Sequence, residues 1–282
     1  MNEKRKKISI VLITVMICIV VLLLLFCFFI SPKYIYLNAY NDGKSGFVNI
    51  NDVKKITLID SGNKESQPKK IKKCKNLNEL VIEYCIDDLY SFSDLSVDNL
   101  CFLSDCKNWD SIRSFKQIRR LSIIPVSNGG QSTFKDCSIL EKFKSLEELE
   151  VNNFTDEINF SGLEKLTNLK TLKISSDKID FSKIPISDNV ENITLYFGYD
   201  EGNYFPENIE CLQDSKVKTL NFRQSYIEDV SFVNSISNIS VIEFHDCIFA
   251  MTESEVKSLA NKLIDSDAKV SFNDCQYNFK EK

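Results

Sequence analysis

The feature that most constrains the fold of this 282-residue chain is a short apolar pattern that recurs through residues 53–275. Each copy reads L-x-x-L-x-L, with a large aliphatic or aromatic residue at the L positions and a small or polar residue shortly afterwards. Such a repeat predicts a stack of equivalent units, which we call rungs. The second apolar residue of the ten rungs is Ile56, Leu80, Leu100, Leu121, Leu149, Leu172, Ile193, Leu220, Ile242 and Val270.

The spacing and alternation of the pattern predict a parallel sheet. Successive rungs are 20 to 28 residues apart, and Leu-x-Leu alternation is typical of a short strand with one buried face. One such strand cannot bury its apolar face alone, whereas strands stacked about 4.8 Å apart share a continuous core. The small or polar residue after each strand is expected to turn inward and to hydrogen-bond loop backbone groups.

The segment VKTLNFRQSYIEDVSFVNSISNISVIEF (217–244) resembles a unit of the leucine-rich repeats of bacterial surface proteins such as internalins, and LEKLTNLKTLKISSDKIDF (163–181) is similar. The resemblance covers roughly residues 53–275. It implies an α/β leucine-rich repeat fold: a curved right-handed solenoid with a parallel sheet on its concave side, usually a scaffold for protein binding. This chain departs from the family in its variable repeat length and in the Cys, Asp, Ser or Gly that often replaces asparagine.

A second constraint is the unbroken apolar run at residues 8–30, which follows Lys4, Arg5, Lys6 and Lys7. Twenty-three helical residues are long enough to cross a bilayer core of about 30 Å. A cleaved signal normally has a shorter core of about 7–15 residues and a small-residue cleavage site, and Leu25-Phe26 before Cys27 is a poor lipidation site. We therefore expect a single-pass signal anchor at the cell membrane, with residues 1–7 cytoplasmic and residues 31–282 extracellular.

Charge excludes some partners of the remaining chain. Residues 1–30 hold four of the 35 basic and one of the 40 acidic residues, which leaves 31 basic and 39 acidic groups and a net charge of −8. Nucleic-acid binding and peripheral binding to anionic lipid both need a basic surface. Neither is expected here, so the membrane should be contacted only through residues 8–30.

The two ends of the repeat array are expected to cover its core. Residues 31–52 are rich in turn-forming and aromatic residues, and we expect a linker and an N-terminal cap there, followed by the repeat ectodomain at 53–282. Residues 252–265 predict a C-terminal helix, because Thr252 and Glu255 form a capping-box pattern. Val256, Leu259, Ala260 and Leu263 would form its apolar face.

Eight cysteines lie outside the apolar run, and two interpretations of them remain open. Cys85, Cys247 and Cys275 occupy the position that often holds asparagine, where a buried thiol packs as a small apolar residue. Alternatively, Cys247 and Cys275 are equivalent on consecutive rungs, and a rung step of about 4.8 Å suits a disulfide. Cys85 and Cys106 are a less well aligned pair. The others are Cys74, Cys101, Cys137 and Cys211.

No pattern in the sequence predicts catalysis, a metal or a cofactor. The chain has no C-x-x-C, H-E-x-x-H, G-x-x-x-x-G-K-[ST] or G-x-G-x-x-G. His245 is the only histidine, and alternation places it outward while Cys247 turns inward, which disfavours a Cys–His dyad. We expect the protein not to be an enzyme.

Outward positions beside the buried strand residues are expected to line the concave sheet and to contact a partner. Tyr196, Phe197, Arg223 and His245 fall on three consecutive rungs and include side chains that interfaces favour. Leu103 and Ile124 form a second, apolar spot, and Glu83 and Tyr84 flank an early rung. The predicted function is binding of an extracellular protein or glycan. The alternative is a structural or assembly subunit of a cell-envelope complex.

Overall fold

The computed structural model divides the chain into two compact units, residues 1–77 and 78–282. It describes residues 15–16, 19–21, 34–40, 44–59, 67–125, 133–152, 158–176, 179–198, 206–232, 236, 238–264 and 268–277.

The first unit holds three antiparallel strands. They are β1 (Tyr34–Tyr40), β2 (Lys44–Asn49) and β3 (Lys55–Leu58), and a short helix α1 (Gln67–Ile71) follows. β1 pairs with β2 over Tyr34↔Asn49, with an irregularity between Leu37 and Tyr40, and it meets β3 at Tyr40↔Ile56. Residues 31–52, expected as a linker and cap, thus contain a hairpin. The first expected rung, which contains Ile56, is strand β3. Within this unit β3 pairs with β1, and that pairing is antiparallel.

Most of the anchor predicted at residues 8–30, and all of the tail at 1–7, lie outside the described residues. Val15, Met16 and residues 19–21 are helical and exposed. Within the described part of the chain, the structure holds no helix with the length and hydropathy needed to cross a membrane.

The second unit is built on a long all-parallel sheet with a solenoid-like α/β architecture. Each strand pairs with the strand of the next rung. The strands are β4 (Glu79–Ile82), β5 (Ser96–Phe102), β6 (Gln117–Ile123), β7 (Glu148–Asn152), β8 (Thr171–Ser175), β9 (Asn192–Gly198), β10 (Thr219–Ile227), β11 (Val241–His245) and β13 (Lys269–Asn273).

The register of this sheet confirms nine of the predicted rungs. Leu80 pairs with Leu100, and the same pairing continues through Leu121 and Leu149 as far as Val270. These positions alternate with outward residues, so each strand buries one side, as its period of two requires. From Leu80 to Ile242, all eight residues at this position are at most 1 % exposed.

Short 3-10 turns return the chain from one rung to the next. They are Tyr90–Phe92, Trp109–Ser114, Cys137–Leu140, Leu163–Lys165, Phe181–Lys183 and Ile209–Asp214. Two of them, Cys137–Leu140 and Phe181–Lys183, follow an Asp whose side-chain oxygen accepts the N–H two residues later. Such a cap satisfies an N–H that the turn leaves unpaired. The distances are 2.9 Å for Asp136 and 3.0 Å for Asp180, and Asp88, Asn159 and Asp229 make the same local bond outside these caps at 2.9 to 3.0 Å.

Asparagines just before the first apolar residue of a rung tie neighbouring rungs together. Asn168 Nδ2 donates to the carbonyl of Lys144 at 2.6 Å, and Asn189 Nδ2 donates to the carbonyl of Thr167. Asn238 Nδ2 reaches the carbonyls of Leu212 at 2.9 Å and Ser215 at 3.1 Å. These bonds satisfy loop carbonyls that the sheet does not pair.

The last rungs bury a stack of aromatic rings. Phe244 lies between Phe222 and Phe272, with centroid separations of 5.1 and 5.3 Å and nearly parallel planes. After the main strands, short strands add a second parallel ladder, in which Ile227 pairs with Phe249 and Phe249 with Tyr277. The added strands are β12 (Ile248–Phe249) and β14 (Gln276–Tyr277).

The predicted C-terminal helix is α2 (Glu253–Ile264). Its capping box forms in both directions: Thr252 N donates to Glu255 Oε2 at 2.9 Å, and Glu255 N donates to Thr252 Oγ1 at 3.3 Å. Val256 is fully buried, as its place on the apolar face requires. The side chains of Leu259, Ala260 and Leu263 lie outside the described part of the structure.

Candidate functional site

The side of the parallel sheet that faces away from the core is the candidate site. We call it the open face and define it as the outward side chains of β4 to β11 and β13. Each strand contributes successive outward residues, which align across the sheet because neighbouring strands are in register. One aligned row passes through Asn152, Ser175, Tyr196, Arg223, His245 and Asn273.

Tyr196, Arg223 and His245 lie side by side in this row, as the sequence predicts. Arg223 is exposed, while Tyr196 and His245 are half-buried. Large, partly desolvated aromatic and arginine side chains are the groups that contribute most to protein interfaces. The three side chains therefore form one surface, which we call the Tyr196 patch.

Phe197 does not belong to this patch, and its predicted place on the surface is wrong. It is 1 % exposed and packs into the core with Ile193 and Leu195, on the opposite side of β9 from Tyr196. Consecutive residues of a strand face opposite sides, so both cannot be outward. The Phe197 N–H instead donates to buried Ser225 Oγ at 3.1 Å.

The other predicted contact residues lie toward the start of the second unit. Leu103 and Ile124 are half-buried on neighbouring rungs, directly after β5 and β6. Their backbone N–H groups bond to Ile82 and Phe102 in the preceding rungs, at 2.9 and 2.8 Å. Glu83 is exposed and Tyr84 half-buried just after β4.

A charged cluster that sequence reasoning missed lies between these two regions. Lys173 Nζ is 2.5 Å from Glu148 Oε1 and 3.9 Å from Glu150 Oε2. Ser122 Oγ donates to Glu150 Oε2 at 3.1 Å. Burial acts to lower the pKa of Lys173, but the bond to Glu148 and the charge of Glu150 outweigh it and raise that pKa. The cluster holds two carboxylates for one ammonium group.

Tyr196 connects the charged cluster to the Tyr196 patch. Burial raises the pKa of its hydroxyl, and the negative charge of Glu150 adds to the increase. Arg223 and Lys173 act in the opposite direction. The phenol is thus protonated at neutral pH and can donate a hydrogen bond to a partner.

His245 has polar neighbours on its own side of the sheet. Its Nε2 is 3.4 Å from Glu243 Oε2 and 3.4 Å from Asn273 Nδ2. Cys247 Sγ donates to the backbone carbonyl of His245 at 3.4 Å and is fully buried. The imidazole and the thiol therefore face different sides of the chain, which is unsuitable for a nucleophilic pair.

Two amide oxygens on the open face are buried and accept no hydrogen bond from any described residue. They are Asn152 Oδ1 and Asn221 Oδ1. Asn221 Nδ2 contacts Thr194 Oγ1 at 3.5 Å. A buried acceptor without a donor costs about 1–3 kcal/mol, so these oxygens favour the entry of water or a ligand donor.

The charged cluster could have been found from the sequence by carrying alternation one step further. If Tyr196 is outward, then Thr194 is outward too, and the same step leads from Ser175 to Lys173 and from Asn152 to Glu150. One outward residue per rung therefore covers only part of the open face.

Every cysteine that the structure describes is a free thiol. Cys247 is buried and Cys275 half-buried at the inward position, as expected. Cys85 is exposed, so its expected burial is wrong: Ile86 pairs with buried Cys106, which turns the adjacent Cys85 outward. Among the described residues, no group of three His, Cys, Asp or Glu side chains is placed to hold a metal ion.

Comparison with known proteins adds no functional assignment. No protein-family model matches the chain, and no curated protein matches it. A crystal structure of a protein from Bacteroides fragilis is similar over 84% of this chain and 88% of that chain, at 14% identity and a TM-score of 0.37. That likeness carries no argument about what this chain does.

Proposed function

We propose that this chain is a non-catalytic leucine-rich repeat protein, related in its right-handed solenoid to bacterial surface proteins, that binds a protein or glycan partner through its open face. The observation that carries the proposal is the Tyr196 patch. It places an aromatic, a guanidinium and an imidazole side by side on three adjacent strands.

The surroundings of the patch support recognition of a polar partner. Glu148 and Glu150 share the ammonium group of Lys173, the one cation within 4.0 Å of both among the described residues, and all three side chains are half-buried. A cationic group of a partner would pair with these carboxylates and gain from partial desolvation. Hydroxyl and amide groups of Ser122 and Asn221 offer hydrogen bonds nearby.

We also propose that residues 8–30 anchor the protein in the cell membrane, with the repeats outside the cell. The basis is the length of the apolar run and the four basic residues that precede it. Protease treatment of intact cells that express the full-length chain tests this orientation. Cleavage within residues 31–282 is the expected result, and full protection would contradict it.

The binding proposal is tested by affinity capture with the full-length chain. A Tyr196→Ala/Arg223→Ala variant is compared with Tyr90→Ala/Arg113→Ala, which removes the same two residue types from the returning turns, where both are exposed. We expect the wild type and the control to retain partners that the patch variant loses. Equal recovery by all three proteins would exclude the patch.

A second candidate function is assembly, and the last rung favours it. The inward residues Val270 and Phe272 of β13 are half-buried, whereas the equivalent Ile242 and Phe244 of β11 are at most 1 % exposed. Partly exposed apolar side chains of this kind can pack against another chain. Phe272→Lys should then abolish oligomers in light scattering, and unchanged mass would exclude this route.

A further inference from the structure

Cys247 and Cys275 occupy the same place in consecutive rungs. The segments F-H-D-C and F-N-D-C end β11 and β13, and F-R-Q-S is their counterpart in β10. In each segment the residue before the last has a left-handed backbone, with φ of 46° at Gln224, 53° at Asp246 and 55° at Asp274. This turn brings the next side chain, Ser225 or a cysteine, to the inward side.

Backbone hydrogen bonds between the two rungs, just before and just after the cysteine position, fix the alignment of the two cysteines. Asp246 N donates to the carbonyl of Asn273 at 2.9 Å, and Gln276 N donates to the carbonyl of Cys247 at 2.8 Å. Neighbouring rungs are about 4.8 Å apart, and disulfides join Cα atoms separated by about 4.4–6.8 Å. Cys247 Sγ donates to the carbonyl of Phe222 at 3.4 Å and Cys275 Sγ to that of Phe244 at 3.5 Å, so the two thiols make equivalent contacts one rung apart.

The two sulfurs have different exposure and different acidity. Cys247 is fully buried, and Cys275 is half-buried at the end of the array. The neighbouring Cys247 thiol lowers the pKa of Cys275 to about 7. The neighbouring Cys275 thiol, together with burial, raises the pKa of Cys247. Since the thiolate is the reactive form, Cys275 is the attacking group and Cys247 the resolving one.

We propose that Cys247 and Cys275 are a redox-active dithiol that is oxidised to an intrachain disulfide by a low-molecular-weight disulfide such as oxidised glutathione. The Cys275 thiolate attacks one sulfur of the reagent, which forms a mixed disulfide and releases one glutathione thiolate. Cys247 then attacks the Cys275 sulfur, and its proton passes to the glutathione thiolate that leaves. This forms the protein disulfide and releases the second glutathione as a thiol. The two cysteines are oxidised, and the reagent is reduced to two thiols.

The disulfide would tie β13 to β11 and close a loop that contains α2. Cross-linking of this kind constrains the unfolded chain, so oxidation should raise the melting temperature. It would also hold the last rung of the array in place. The inference is independent of the proposed binding function, since neither cysteine faces the open face.

Cys85 and Cys106 provide an internal control. They also lie on neighbouring rungs, but Cys85 is exposed, whereas Cys106 is buried and donates to the carbonyl of Asn108 at 3.4 Å. Burial raises the pKa of Cys106 to about 11. We therefore expect no disulfide between them in the folded protein.

The test is oxidation of the folded full-length chain by oxidised glutathione, followed by alkylation of remaining thiols and peptide mass spectrometry. The expected result is a linked peptide pair containing Cys247 and Cys275, loss of alkylation at both, and a higher melting temperature. Alkylation of both residues after oxidation would overturn the proposal. So would a persistent glutathione adduct on Cys275, or preferential linkage of Cys85 to Cys106.

Two serine variants test the order of the steps. The chain itself places serine at the equivalent Ser225, so Cys247→Ser and Cys275→Ser should both fold, which circular dichroism verifies. Cys247→Ser should stop as a glutathione adduct on Cys275, and Cys275→Ser should leave Cys247 unmodified. Rapid modification of Cys247 in the second variant would reverse the assigned roles and contradict the proposal. If a variant misfolds, the presence or absence of the Cys247–Cys275 linked peptide in the oxidised wild type still decides the proposal.

Discussion

The two sides of the parallel sheet differ in how much their residues vary from strand to strand. On the inner side, equivalent positions hold Leu or Ile from Leu80 to Ile242, and these side chains are almost completely buried. On the open face, one row changes from Asn152 to Tyr196, Arg223 and His245 within a few strands. Packing therefore determines the first side, while the second is free to vary and can carry recognition.

The largest expected effect is on the inner side. Phe244→Ala removes a ring stacked between Phe222 and Phe272, and we expect the free energy of unfolding to fall by about 3–5 kcal/mol. Urea denaturation measures this. The neighbouring His245→Ala should change stability by only about 0.5 kcal/mol. Similar losses for both variants would contradict the division between the two sides.

The next effect concerns the asparagines that join rungs. Asn238→Ala leaves the carbonyls of Leu212 and Ser215 without this donor, and we expect a loss of about 1–3 kcal/mol in the same assay. Asn221→Ala on the open face is the matched control, because its amide makes only a 3.5 Å contact. If Asn221→Ala costs as much as Asn238→Ala, the asparagine bonds do not support the stack as described.

A smaller effect is expected in the charged cluster. Lys173→Ala removes the cation from Glu148 and Glu150, which repel each other, and we expect a loss of about 0.5–1 kcal/mol that salt reduces. Thermal melts at low and high ionic strength measure it. Lys170→Ala, an exposed position on the same rung, should have no effect. A loss that does not depend on salt would mean that packing, and not charge, is responsible.

The smallest effect is a pH dependence in the returning turns. The pKa of Asp180 lies below its ordinary value of 3.8 because Ser182 and Asn208 donate hydrogen bonds to its carboxylate. A lower folded-state pKa means that the carboxylate stabilises the fold above pH 3.8, and that this contribution is lost as pH falls through the folded-state pKa. Asp180→Asn keeps an acceptor, as Asn159 does in another rung. We expect a small decrease in the urea midpoint at pH 7 that disappears at acidic pH, whereas a difference that grows in acid would contradict the assignment.

The sequence predicts the inner side well because burial imposes a strict period. The aligned residues from Leu80 to Val270 and the capping box of Thr252 and Glu255 follow directly from spacing. The predicted outward place of Phe197 is wrong because Phe197 directly follows the outward Tyr196 in an alternating strand. Cys85 was misplaced because the loop between Ile82 and Leu89 does not follow the strand period.

Other features were missed although the sequence contains a signal for them. Asn168, Asn189 and Asn238 all precede the first apolar residue of a rung, and that recurrence indicates a shared bonding role. The Asp-x-Ser motifs at Asp136 and Asp180 indicate caps in the same way. The hairpin of β1 and β2 carries no rung pattern and could not be recognised by the repeat. Contacts such as Lys173 to Glu148 depend on side-chain geometry that spacing alone does not fix.

Tyr196 and Phe197 are adjacent aromatic residues that should face opposite sides of the sheet. Hydroxyl-radical footprinting of the folded full-length chain, read residue by residue by mass spectrometry, compares oxidation of Tyr196 with that of Phe197. We expect rapid oxidation of Tyr196 and protection of Phe197, and likewise oxidation of His245 and protection of Phe244. Oxidation of Phe197 at a rate equal to or above that of Tyr196 would show that the strand faces the other way, and the open face as defined would not exist.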